Sequence, residues 1–175
     1  TIKKWVGLNK RIEWLLVDIC ESLIVIASFV LGWLYQLNNK YIVGLNDVLS
    51  DRLKYIAQTM STYNIKLWGQ YIEEHGNGGS IIAKDNYFFI DNSFVRCMYE
   101  YGAIVFVLVI VLIFMAQKKM LDNEKYIMCL AFFIVTIASF AEHHLLEIAY
   151  NPFIFSVFAC MSNNDKVIME EKRIC

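Results

Sequence analysis

Apolar residues in this chain gather into long runs instead of alternating with polar ones. An α-helix rises about 1.5 Å per residue, so crossing a hydrocarbon core of about 30 Å takes about 20 mostly apolar residues. Four stretches have that character, at 14–36, 98–117, 126–143 and 144–161. Trp14 stands at one end of the first, and Trp33 and Tyr35 at the other, where interfacial aromatics belong. The fourth contains Glu147 and the only proline, Pro152. Proline lacks an amide donor and clashes with the preceding turn, so 144–161 is expected to be either a broken span or a re-entrant helix. Together the runs predict an all-α fold, a polytopic membrane helical bundle of about four spans.

Segment 37–97 reads differently. Leu45, Val48, Leu49, Leu53, Ile56, Ala57 and Met60 recur at helical spacing, with Asp47, Asp51, Arg52 and Lys54 among them. That pattern predicts an amphipathic helix over about 46–60, its apolar face against the membrane surface or the bundle. The loop HGNGGS at 75–80 reads as a glycine-rich connector. The Gly-Lys-Ser/Thr that a Walker-type phosphate loop needs does not follow it. Asp91-Asn92-Ser93, just before the second run, reads either as a helix cap or as a carboxylate at a cavity mouth.

Basic residues give the bundle a side. Lys3, Lys4, Lys10 and Arg11 precede the first run, Lys118, Lys119 and Lys125 lie between the second and third, and Lys166, Lys172 and Arg173 follow the fourth. The remaining six lysines and arginines are diluted over 37–97. Short cytoplasmic segments are enriched in these residues, so 1–13, 118–125 and 162–175 are expected inside and 37–97 outside, with both ends cytoplasmic. No A-x-A-like cleavage site follows the first run, which is read as a retained span, and the start at Thr1 is read as part of a longer protein.

Composition fits this picture: 58% of the 175 residues are hydrophobic and 19% charged, against roughly 45–50% apolar and about 25% charged in soluble domains. A net charge of −1 leaves no basic footprint for nucleic acid. The five cysteines are odd in number and lack C-x-x-C spacing, which points to packing residues.

Some charges fall where lipid does not tolerate them unaided. Asp18 and Glu21 lie three apart on one face of the first run, either structural or functional. Glu142, His143, His144 and Glu147 cluster at the outer end of the third, and a helix there brings an imidazole to a carboxylate. Two histidines with carboxylates can hold zinc or iron, but the Glu-x-x-His pairing of di-iron bundles is missing, and no metal or other cofactor is expected.

Several of these pieces come in a familiar order. Leu45-Asn46-Asp47-Val48-Leu49-Ser50-Asp51-Arg52-Leu53, Trp68-Gly69-Gln70, Asp91-Asn92-Ser93-Phe94, Tyr101-Gly102, Glu142 and Tyr150-Asn151-Pro152-Phe153 follow one another as in the C-terminal part of bacterial polysaccharide polymerases. Over about 12–161 the chain resembles these Wzy-type, O-antigen-polymerase-like membrane proteins of capsule and exopolysaccharide clusters. It departs from them at Asp51, where Leu-Ser-Gly-Arg is the expected run.

The resemblance implies an enzyme of the bacterial plasma membrane that joins polyprenyl-pyrophosphate-linked oligosaccharide repeats on the outer face, without metal or nucleotide sugar. It also implies further N-terminal spans of the same protein as partners, together with the lipid bilayer. Arg52 and Gly69 match the family's arginine-to-glycine motif, which implies a pyrophosphate contact for Arg52. Asp91 is implied as the general base, since related ligases carry His-Asn where this chain has Asp91-Asn92, with Glu142 the second choice. Asn92, His143 and Asn151 are implied as substrate contacts. The competing reading is a non-catalytic polytopic protein, a transport or assembly subunit, although the internal repeat common in transporters is not visible.

Overall fold

A computed structural model describes residues 10–75 and 87–147. Its elements are α1 (Lys10–Gln36), α2 (Lys40–Val48), α3 (Arg52–Thr62), α4 (Ser93–Arg96), a π-helical turn (Cys97–Tyr101), α5 (Ala103–Asp122), α6 (Tyr126–Ala138) and a 3-10 turn (His144–Leu146). The described residues are thus helical, and their one pairing of extended chain is an isolated antiparallel bridge between His75 and Phe88.

Two helices are long and apolar enough to cross a membrane, α1 over Trp14–Gln36 and α5 over Ala103–Asp122. Leu16, Ile19, Leu23, Ile26, Val30 and Trp33 form an exposed stripe along α1, spaced alternately three and four residues apart. A helix that turns its apolar stripe outward rather than into a core is suited to a lipid-like surrounding. Its polar residues turn the other way. Glu21, only 1% exposed, accepts from Gln117 Nε2 of α5 at 2.7 Å, and Cys129 Sγ of α6 donates to Gln117 Oε1 at 2.9 Å. Glu21 therefore belongs to the bundle interior and ties three helices together.

The helix bounds differ from the expected runs. The second run was expected at 98–117, but α5 starts at Ala103. Gly102, at φ +97°, lies so close to the 67–69 backbone that a Cβ there meets Gly69 N at 2.3 Å, and this contact separates the π-turn from the helix. The third was expected at 126–143, but α6 has thirteen residues and ends at Ala138. Beyond it, Ser93 N bonds Ser139 O at 2.9 Å and Asn92 Nδ2 bonds Phe140 O at 2.7 Å, which draws the chain sideways into turns. Among the described residues there are two span-length helices and one shorter apolar one. Most of 144–161, with Asn151 and Pro152, and the glycines of the 75–80 loop lie outside the described residues.

The amphipathic helix expected over about 46–60 is two helices. Ser50 (φ +53°) and Asp51 (φ +65°) both take the left-handed conformation and break it. The apolar pattern survived the break because α3 keeps its own inward face, with Leu53, Ile56, Ala57 and Thr59 buried. That face packs on α1 at Gly32, where a Cβ would come within 2.3 Å of Ile56 Cγ2. Leu53, Tyr55 and Ile56 join Ile72, Phe88, Ile90, Val95 and Tyr99 in a second core cluster, apart from the one shared by α1, α5 and α6.

Candidate functional site

Arg52 is the first residue of α3, and the turn before it decides where it points. Asn46, buried at 2% exposure, donates from Nδ2 to Asp51 Oδ1 (2.8 Å), accepts from Lys54 N at its Oδ1 (3.0 Å), and accepts from Asp51 N at its carbonyl (3.1 Å). Asp51 is thus engaged with Asn46. Aspartate is one of the few residues other than glycine that tolerates this left-handed conformation.

From there the Arg52 guanidinium crosses to the turns after α6. Nη1 donates to Ala141 O, Nη2 donates to Glu142 Oε1 at 3.0 Å, and Nε stands 3.9 Å from Asp91 Oδ2. His143 Nδ1 is 3.9 Å from the other Asp91 oxygen. Arg52, Asp91 and the adjacent pair Glu142-His143 therefore meet in one place although these three sites lie far apart in sequence.

Asn92 and Ser93 hold this junction together. The Asn92 Oδ1 caps α4 by accepting from Phe94 N and Val95 N, while its Nδ2 donates to Ser28 Oγ and Phe140 O. The local reading of 91–93 as a cap is correct, and Asn92, 1% exposed, spends its polar atoms on the fold. Ser93 Oγ donates to Glu142 O at 2.5 Å and accepts from Leu145 N. Gly69, at φ +81°, forms a different junction, where a Cβ would strike Glu100 O at 2.2 Å.

The electrostatics follow the burial. Asp91 is 21% exposed, and desolvation pushes its carboxyl above the ordinary range. Arg52 pulls against that rise, while Glu142 adds to it. Burial lowers the His143 imidazole below its usual value, and the neighbouring His144 lowers it further. The arrangement presents a permanent cation between two carboxylates, one of them partly desolvated. A cavity of about 80 Å³ adjoins it, lined by Ser93, Arg96, His143 and Glu147 among others.

Arg96 is a supporting residue that the sequence did not single out. It bonds both oxygens of Glu74 at 2.6 and 2.7 Å, donates from Nε to Ile90 O, and covers the Phe89 ring, which makes a T-shaped contact with His143. Glu74 and Arg96 lie twenty-two residues apart, with no local pattern to signal the pair. Asn151 lies outside the described residues.

No protein-family model, curated protein or solved structure matches the chain.

Proposed function

We propose that this chain contributes the outer catalytic region of an integral membrane polysaccharide polymerase, multi-pass in a bacterial plasma membrane with both ends cytoplasmic. The substrate is an oligosaccharide repeat on polyprenyl pyrophosphate. The observation that carries the reading is the meeting of Arg52 with Asp91 and Glu142.

Glycosyl transfer breaks the bond from the donor sugar's anomeric carbon to the lipid pyrophosphate and forms one to the acceptor hydroxyl oxygen. Negative charge gathers on the departing phosphate oxygens. A guanidinium matches such oxygens bidentately and stays protonated at any working pH, so Arg52 holds the leaving group, exchanging Glu142 for phosphate. The acceptor hydroxyl gives its proton to Asp91. An ordinary aspartate is a feeble base, and the desolvation that raises Asp91 makes it a stronger one. Glu142, displaced from Arg52, is free to orient the acceptor.

An ion cluster that serves only to hold the fold has similar geometry, so the test must separate charge from shape. Arg52→Ala and Arg52→Lys are introduced into the complete gene and the glycan is run on a gel. Both are expected to lose long polymer at normal protein abundance, because lysine keeps the charge but not the fork. Normal polymer in the Arg52→Lys strain contradicts the assignment.

A further inference from the structure

The function proposed above draws on Glu142 but leaves His143, His144 and Glu147 without a role. The backbone turns a tight corner at these residues: α6 stops at Ala138, Glu142 N donates to Ala138 O, and the His144–Leu146 turn follows. The corner brings the two imidazole rings to a centroid distance of 4.1 Å. It also lays both rings on one carboxylate. His143 Nε2 is 3.3 Å from Glu147 Oε1, and His144 Nδ1 is 3.2 Å from Glu147 Oε2. One donor atom each from Glu142, His143 and His144 lie within 4.8 Å of one another.

Two arrangements come near these separations. As N–H···O contacts, 3.2 and 3.3 Å stand at the long end of the ordinary range of about 2.7–3.2 Å. In a tetrahedral site with metal–ligand distances of about 2.0–2.2 Å, neighbouring ligand atoms stand about 3.3–3.6 Å apart, which is close to what is observed. Imidazole nitrogen combined with carboxylate oxygen suits zinc-class ions, whereas magnesium and calcium favour all-oxygen shells. Glu147 is 44% exposed, which gives an ion access from solvent. Buried Leu145, between His144 and Glu147 in sequence, anchors the corner in the core.

We infer that His143, His144 and Glu147 form a binding site for a divalent transition-metal ion of the zinc class, with Glu142 a further carboxylate beside the two imidazoles. Glu142 also pairs with Arg52, so an ion here competes with Arg52 for that side chain. The site stands on this geometry alone and does not depend on the polymerase reading.

The test titrates the full-length, tag-free chain in detergent with cobalt(II) alone and then adds zinc(II). Wild-type protein is expected to take up one cobalt with the intense visible bands of tetrahedral coordination, which zinc bleaches. His144→Ala and Glu147→Gln each raise the cobalt Kd at least tenfold, since even the outer partners of metal ligands are worth about 10–100-fold in affinity. His75→Ala, at the third histidine, leaves the titration unchanged. Glu147 is exposed, so Glu147→Gln keeps the experiment decisive if His144→Ala fails to fold. Wild-type protein without tetrahedral bands overturns the site. So do bands that persist in Glu147→Gln or disappear in His75→Ala.

Discussion

Arg52 Nη2 donates to Glu142 Oε1 at 3.0 Å, between residues ninety apart in the chain. Glu142 is 46% exposed, and half-solvated ion pairs are worth about 0–1 kcal/mol. Glu142→Gln is therefore expected to lower stability by less than about 1 kcal/mol. Arg52→Ala also strips the Ala141 carbonyl of its donor and is expected to lose about 1–3 kcal/mol. Thermal unfolding of the two variants in detergent measures the difference, and equal losses contradict this division.

Gly32 and Gly44 form a paired test of the α1–α3 contact. A methyl group at Gly32 meets Ile56 Cγ2 at 2.3 Å, whereas nothing lies within 4 Å of one at Gly44. Gly32→Ala is expected to destabilise by about 1–3 kcal/mol through overpacking. Gly44→Ala, inside α2, is expected to stabilise by up to about 1 kcal/mol through helix propensity. The same unfolding assay reads both, and the signs are expected to be opposite.

The proposed sidedness predicts a labelling pattern. In an otherwise cysteine-free background, His75→Cys is expected to react with a membrane-impermeant maleimide from outside intact cells, and Lys118→Cys only after the membrane is opened. Labelling of position 75 from the cytoplasmic side reverses the orientation.

The residues just considered show what the sequence made legible. Helix type was readable wherever an apolar run was long, as at Trp14–Gln36 and Ala103–Asp122. Helix ends were not, because tertiary contacts set them. Gly102 closes on Gly69, and Asn92 pulls on Phe140, across separations that no local pattern encodes. The break in the amphipathic segment had a weak local sign in Ser50-Asp51, but apolar spacing continued through it and hid the turn. Arg52, Asp91 and Glu142 were legible as chemical types in suspicious places. Their meeting depends on Asn46 and Ser93, whose bonds only the fold reveals. Asn92 drew attention beside Asp91, yet its carboxamide is used up as a cap.

Asp91→Asn separates chemistry from stability most directly. Desolvation raises the folded Asp91 carboxyl above its ordinary value, so its contribution to stability is fully present below the unfolded pKa and is lost as pH rises through the folded one. At neutral pH the near-isosteric asparagine removes a partly desolvated charge, and the variant is expected to be as stable as wild type or more so. That advantage shrinks as pH falls toward about 4. The decisive measurement is the glycan chain-length profile of cells carrying Asp91→Asn in the complete gene, at protein abundance matched to wild type. The account predicts that long polymer disappears while the protein remains folded and abundant. A wild-type profile from that strain contradicts the claim that Asp91 takes the acceptor proton.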